Sequence, residues 1–505
     1  MVRTKYLLIF FILILLSLSG CTAGESPETG GTLVVGQSTD VEILDPHRHK
    51  DLYAVRVSDQ LFDKLVMLNH QGEFKPSLAT SWTVHDDGMR WRFQLRNDVV
   101  FHDGEPMTAD DVVFSLNRVL DPEFESPHKG DLGFVREVRA EETHQVSIEL
   151  EEPNGALLSA LLNVHVVPEH AADRLNEQPV GSGPFVFEER QADERIVLKA
   201  FNDYWAGAPM FSELVFRPIP ETSTRLVELE TGRIHIADGI PGEEMERLTD
   251  LDGVEVASTV GSNYSVLAFN NERSPFDDPR VRRAVGKAID AQRLVELVYP
   301  GTAVAAEGPI PPTSWAYDDS FEGLGFDLGA ARRLMDEADV DQDLSVELMI
   351  SEDERMERGG VLLKSMLEEI GMDIDLTALE WGTFMERMLG RDYDMLRVAW
   401  STDPDPDALL YGLHHSGSEM LNFTRYQNPQ ADELLDRGRR QADVSARAES
   451  YREFQEIVLE DVPMVYLLHE NQVVGHRKGV NGFRPHLTGA FYFKTGFGVN
   501  TWLRQ

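Results

Sequence analysis

The chain is 505 residues long and 42% hydrophobic, and it carries 47 basic against 87 acidic residues, a formal net charge of −40. That length holds roughly three domain-sized units, and the apolar fraction is that of an ordinary globular protein. The charge balance argues against nucleic acid, whose binding rests on phosphate neutralisation; it favours solubility and, weakly, cationic partners.

The first twenty residues read as a signal rather than as fold. Arg3 and Lys5 form a positive start, "YLLIFFILILLSL" is an apolar run too short to span a membrane comfortably, and "LSGC" closes it. Cys21 is the chain's single cysteine, so an internal disulfide is excluded. Residues 21–30 then read as a flexible polar linker. Thr32 to Gly36 is strand-like, and Asp45-Pro46 marks a turn. "AVRVSDQLFDKLVML" places Val55, Leu61, Phe62, Leu65 and Val66 at helical spacing. "GMRWRFQLR" alternates Trp91, Phe93 and Leu95, as a half-buried strand does. Thr108 is placed to cap a helix whose first turn carries Asp110 and Asp111, where the helix dipole favours negative charge.

"VGSGPFVFEERQADERIVLKAF" predicts a turn feeding a hairpin, and "FSELVFRPIPETSTRLVELETGRIHIA" predicts strand, helix, strand. Asp278 and Pro279 open a helix as N-cap and first residue. A further helix runs from about Glu354 to Ile370 with Gly371 as its stop. Two strands, two helices and the strand "PMVYLLH" complete the chain, so the fold class is α/β.

"FKPSLATSWTVHDDGMRWRFQLRNDVVFHDGEPMTADDVVFSLNR", "VGSGPFVF", "NDYWAGAP", "STRLVELETGRIHIA", "FNNERSPFDDPRVRRAVGKAID" and "YREFQEIVLEDVPMVYLLH" resemble, in order, the extracellular solute-binding proteins of dipeptide, oligopeptide and nickel ABC importers. Leu18-Ser19-Gly20-Cys21 resembles a bacterial lipobox, implying lipidation at Cys21 and tethering outside the cytoplasmic membrane. The resemblance implies a two-lobed periplasmic-binding-protein fold of the Venus-flytrap kind with an extra third domain. Lobe I would comprise 31–68, 179–274 and 476–505, the extra domain 69–178, and lobe II 275–475. Hinge strands would cross near "YSVLAFNN". It implies a lipid-anchored monomer that captures peptides, most simply oligopeptides, and delivers them to permease subunits driven by cytoplasmic ATPases. A nickel or oligosaccharide binder, a peptide-sensing receptor and a secreted hydrolase are the alternatives.

"WSTDPDPDALL" holds the candidate site. An aspartate three residues after a tryptophan reads the ligand ammonium in peptide-holding relatives, and Asp403 matches that position after Trp400. Trp400, Ser401 and Thr402 would border the same pocket. Asp405 and Asp407 are expected to shape the following segment. Positions 1, 3 and 5 of a calcium loop are filled by Asp403, Asp405 and Asp407, but Ala408 stands where glycine is needed and His414 where glutamate is. No metal site is therefore assigned, and His414 and His415 are expected to face solvent. Dipeptide-selective relatives hold the ligand carboxylate with an arginine where this chain has Ile350; Arg355 and Arg358 lie nearby, out of register. The loop "HRHKDLY", Asn263 and Tyr264 are further lining candidates. No G-x-S-x-G, P-loop or H-E-x-x-H motif is present, so neither enzyme chemistry nor a cofactor is expected.

The basic residues divide into 10 Lys and 37 Arg. Excess carboxylates with few lysines suit a salt-rich or alkaline habitat. Thermal stability is expected to rise with added salt; equal unfolding midpoints with and without salt would remove this reading.

Overall fold

The computed structural model describes residues 30–339, 345–400, 405–418, 421–493 and 501–503. The signal-like segment and Cys21 lie outside them. Among the described residues no helix is long and apolar enough to cross a membrane.

One eleven-stranded sheet organises the molecule. In its first half, Thr32–Gln37 pairs in parallel with Glu213–Pro218 on one side and Ile236–Asp238 on the other. The predicted hairpin, Phe185–Gln191 with Arg195–Ala200, closes that edge. In the second half, Ser345–Ser351 lies between Asp373–Leu379 and Met395–Trp400, all parallel. Helices cover both faces of this half. One apolar core gathers Val281, Val285, Leu294 and Leu363, and another gathers Leu410, Leu435, Tyr451 and Phe454.

Two long antiparallel strands join the halves. Val254–Phe269 pairs with Met464–Arg477, first Val254–Val260 against Asn471–Arg477, then Tyr264–Ala268 against Met464–His469. The register breaks between Val260 and Tyr264. Gly261 sits in this break, where an added Cβ would stand 2.8 Å from the Glu470 carbonyl oxygen, so only glycine permits the close crossing.

A separate four-stranded antiparallel sheet runs Ala79–His85, Arg90–Leu95, Gln145–Leu150, Val135–Glu142. Its alternation is the predicted one: Trp91, Phe93 and Leu95 are all buried under the helix Ala109–Leu120. The helix start is also as predicted, with the Asp111 carboxylate accepting from the Thr108 N–H at 2.9 Å. Asp278 accepts from the Arg280 N–H at 2.8 Å ahead of Pro279, and Gly371 takes φ +86° after the helix Glu354–Glu368.

The stretch after Val55 departs from its helical spacing. The helix covers Leu52–Leu61 only, and Phe62 is extended. Asp63 explains the break. It is buried and accepts from Tyr204 Oη at 3.1 Å and Trp205 Nε1 at 2.9 Å, fixing the backbone there. Leu65 and Val66 then enter the core of the four-stranded unit, with Val66–Leu68 as a short strand.

Six histidines, His47, His49, His102, His414, His469 and His486, are pushed down to about 4, in each case chiefly by burial. The unfolded chain, with ordinary imidazoles near 6.5, takes up protons first. Their contribution is therefore complete above about pH 6.5 and is lost as pH falls toward 4. The urea midpoint is expected to drop across this window; a flat midpoint would show that these imidazoles do not stay neutral in the fold.

Candidate functional site

Two cavities flank the crossing strands and meet at Gln472, which lines both. The larger, of about 700 Å³, is walled by Asp238–Glu243 from the first half and by Asp353–Arg358 from the second, with Glu470–Val474 as its floor. These walls follow the C-terminal ends of the strands Ile236–Asp238 and Ser345–Ser351. Open α/β sheets bind ligands in a crevice at such strand ends.

The smaller cavity, of about 370 Å³, lies between the helix Leu52–Leu61, the four-stranded unit and the crossing. Its charges come as pairs, Lys50 with Asp131 at 2.9 Å and Lys64 with Asp59 at 2.7 Å, and behind it the His165 ring meets Asp59 at 2.8 Å. Burial alone would raise the Asp131 carboxyl, but His128 and Lys50 outweigh it, so its pKa is lowered. Polar Ser262, Asn263, Gln472 and Thr488 complete a wall suited to hydrogen bonding.

The predicted site residues separate. Asn263 lines the smaller cavity. Tyr264 does not: it is 0% exposed and packed edge-on to Tyr466 and His469, with ring centroids 6.0 and 6.1 Å away. Burial raises its pKa, and its hydroxyl has no hydrogen-bond partner among the described residues. The strand alternation sends Asn263 and Tyr264 to opposite sides. Trp400 pairs in register with Tyr264 and stacks on Phe423 at 5.8 Å. Ser401, Thr402 and Asp403 lie outside the described residues.

Asp405 and Asp407 have defined partners. Arg447 donates to both Asp405 oxygens, at 2.7 and 2.8 Å, in a pair whose side chains are 1% and 2% exposed. Asp407 receives Arg439 at 2.9 Å and the Tyr451 hydroxyl at 3.1 Å. It opens the helix Asp407–His414, and Asp405 accepts from its N–H at 3.0 Å. The second and third aspartates of the motif are thus spent on internal cations.

The expectation of solvent-facing histidines fails at His414. It is fully buried, bridging the Leu410 carbonyl at 3.0 Å and the Tyr466 hydroxyl at 2.7 Å. His415, next to it, points away and stacks on Tyr411. Among the described residues no group of three or more His, Cys, Asp or Glu is placed to hold a metal ion.

Ile350 is fully buried in the second half's core and cannot reach a ligand. Arg355 and Arg358, set aside on register, do line the larger cavity. The Arg355 guanidinium lies 5.9 Å from the Tyr299 ring and has no carboxylate partner among the described residues. The signal for it was the N-cap Asp353, which fixes where the helix turns its first residues toward the cleft. In the loop "HRHKDLY", Lys50 and Leu52 reach the smaller cavity, whereas His47 and His49 are buried behind it.

The cleft is thus shared by two halves of one sheet and floored by the strands that join them. Residues 73–420 match the bacterial extracellular solute-binding proteins, family 5, middle region. The chain belongs to this family. It is 30% identical over 492 residues to di/tripeptide-binding protein 2 of Pseudomonas aeruginosa, covering 90% of this chain and 92% of that protein. Among solved structures it is similar to DppA from Helicobacter pylori in complex with the peptide STSA, with 28% identity, a TM-score of 0.74, and 95% and 99% of the two chains covered. HbpA2 from Haemophilus parasuis shares the fold with a TM-score of 0.87 at 24% identity, over 94% of this chain and 100% of that one.

The Arg447–Asp405 pair carries a stability prediction. Removing one partner of a buried pair strands the other charge and costs about 3–5 kcal/mol. Arg447→Met is expected to lower unfolding free energy by that amount in urea titration, and a loss under about 1 kcal/mol would mean that Asp405 is not held as a buried carboxylate.

Proposed function

We propose that this family member is a peptide-binding protein anchored by lipid at Cys21, which passes its ligand to an ABC permease. The observation that carries the reading is the 700 Å³ cavity walled by both halves and floored by the crossing strands. It is a space that changes shape when the halves rotate. The relatives' printed ligands, di- and tripeptides and the peptide STSA, give the ligand class.

In this reading the lobes are 31–68, 179–274 and 476–505 against 275–475, with 69–178 as the extra domain. Asp403 pairs with the ligand ammonium beside Trp400, Ser401 and Thr402. Asn263 presents a side-chain amide to the ligand from the smaller cavity. Arg355 and the peptide groups along the walls are available to the ligand's carboxyl end and backbone, so longer peptides held as an added strand are accommodated.

Calorimetric titration of the chain from Thr22 onward, unfolded and refolded to strip carried ligand, tests this. A pool of two- to eight-residue peptides is expected to bind, and N-acetylation of the pool is expected to abolish most of the heat. Asp403→Asn is expected to cost about 2–5 kcal/mol of affinity, the range for breaking a buried charge pair. Binding that ignores acetylation removes Asp403 from its role; no binding to either pool removes the peptide reading.

A further inference from the structure

The four-stranded unit is bound firmly to the first half. Asp59 of the first half meets the unit's His165 at 2.8 Å, and Asp45 meets the unit's Arg118 at 2.6 Å. The same unit also reaches across to the second half. The Gly155 N–H donates to the Arg439 carbonyl at 2.7 Å, and the Gly155 carbonyl accepts from Arg447 Nη1 at 3.1 Å. An added Cβ on Gly155 would stand 1.8 Å from the Gln441 carbonyl oxygen. Ala442, one residue on, packs against the unit's apolar core.

We propose that this Gly155 socket is a second, permanent joint between the halves, so that the second half turns about a line from the crossing strands to Gly155. The proposal rests on the reading of the cleft as a closing ligand site, and it adds the axis of closure. Three features mark a joint rather than a clasp that forms on closing. The bond from the Gly155 N–H to the Arg439 carbonyl is main chain to main chain, so that half of the contact does not depend on a rotamer. Arg447 spreads its donors over Asp405, Gly438, Tyr451 and Gly155, so parting the halves would take an acceptor from a charge that is 1% exposed. Parting them would also uncover Ala442 and the apolar core beneath it.

A different contact fits the other end of the axis. An added Cβ on Gly72 would stand 2.4 Å from the Thr313 carbonyl oxygen, and its neighbour Leu487 accepts through its carbonyl from the Ser262 N–H of the crossing. With both ends fixed, Asp405 stays close to the axis through Arg447, while the Asp353–Arg358 wall swings.

Hydrogen exchange of the wild-type chain from Thr22 onward, with and without a pool of di- and tripeptides, tests the joint. Residues 151–157 and 438–447 are expected to exchange equally slowly in both states, while 353–358 slows only with the pool. Protection of 151–157 that appears only with the pool would make the contact a clasp and overturn the proposal. Dyes on the exposed positions Glu142→Cys and Glu433→Cys report the distance between the unit and the second half without any ligand. Gly155→Val is expected to broaden that distance distribution and to weaken pool binding at least tenfold; an unchanged distribution would overturn the joint. Should Gly155→Val fail to fold, the wild-type exchange result decides. Should the pool fail to bind in calorimetry, the peptide reading falls and the ligand-free dye distances still decide the joint.

Discussion

Two strands, Val254–Phe269 and Met464–Arg477, run through both halves of the molecule, and the placement of the cleft depends on them. Within each half, parallel strands must end somewhere, and their carboxyl ends leave loops and helix starts that no further strand covers. Because the halves share one sheet through an antiparallel pair, those ends face each other across the crossing. The cavity walls, Asp238–Glu243 and Asp353–Arg358, are such ends. The register break at Gly261 lets the two pairings keep separate geometries, which a continuous ladder of hydrogen bonds would resist.

Charge is managed differently inside and outside this frame. The net charge of −40 belongs to a surface where individual ion pairs contribute little. In the smaller cavity Asp59 is matched by Lys64 and Asp131 by Lys50, and in the larger one Asp238 is matched by Arg56 at 2.5 Å. The smaller cavity thus presents hydrogen-bonding groups beside neutralised acids, whereas the larger also carries Glu243, Asp353, Glu354 and Glu470 together with Arg355 and Arg358. A cleft that offers both carboxylates and guanidiniums suits a ligand with both an ammonium and a carboxylate.

The sequence was legible where a local rule decides the outcome. Thr108, Asp278 and Gly371 mark helix ends because capping is settled within a few residues, and Trp91, Phe93 and Leu95 alternate because a sheet face does. It was misleading where a distant partner decides. The run after Val55 carries helical spacing, yet Asp63 is claimed by Tyr204 and Trp205, some 141 and 142 residues away, and the helix stops. His414 looked like a surface residue because nothing nearby in sequence announces Tyr466. The aspartate motif was readable in part: that Asp405 and Asp407 shape the next segment follows from turn chemistry, but that Arg447 and Arg439 neutralise them does not.

The Asp405–Arg447 pair ties the aspartate motif to the frame. Asp405 follows Asp403 by two residues, and its partner Arg447 also donates to Gly155 of the four-stranded unit. A carboxylate that reads a ligand ammonium must be held to within a fraction of an ångström while the cleft around it changes shape. An anchor on the moving wall would carry it along. An anchor at an axis of rotation leaves it nearly still, because displacement grows with distance from the axis. Under the proposed axis, placing the neighbouring aspartate on the arginine that also grips the first half's attached unit would supply such an anchor with one buried guanidinium.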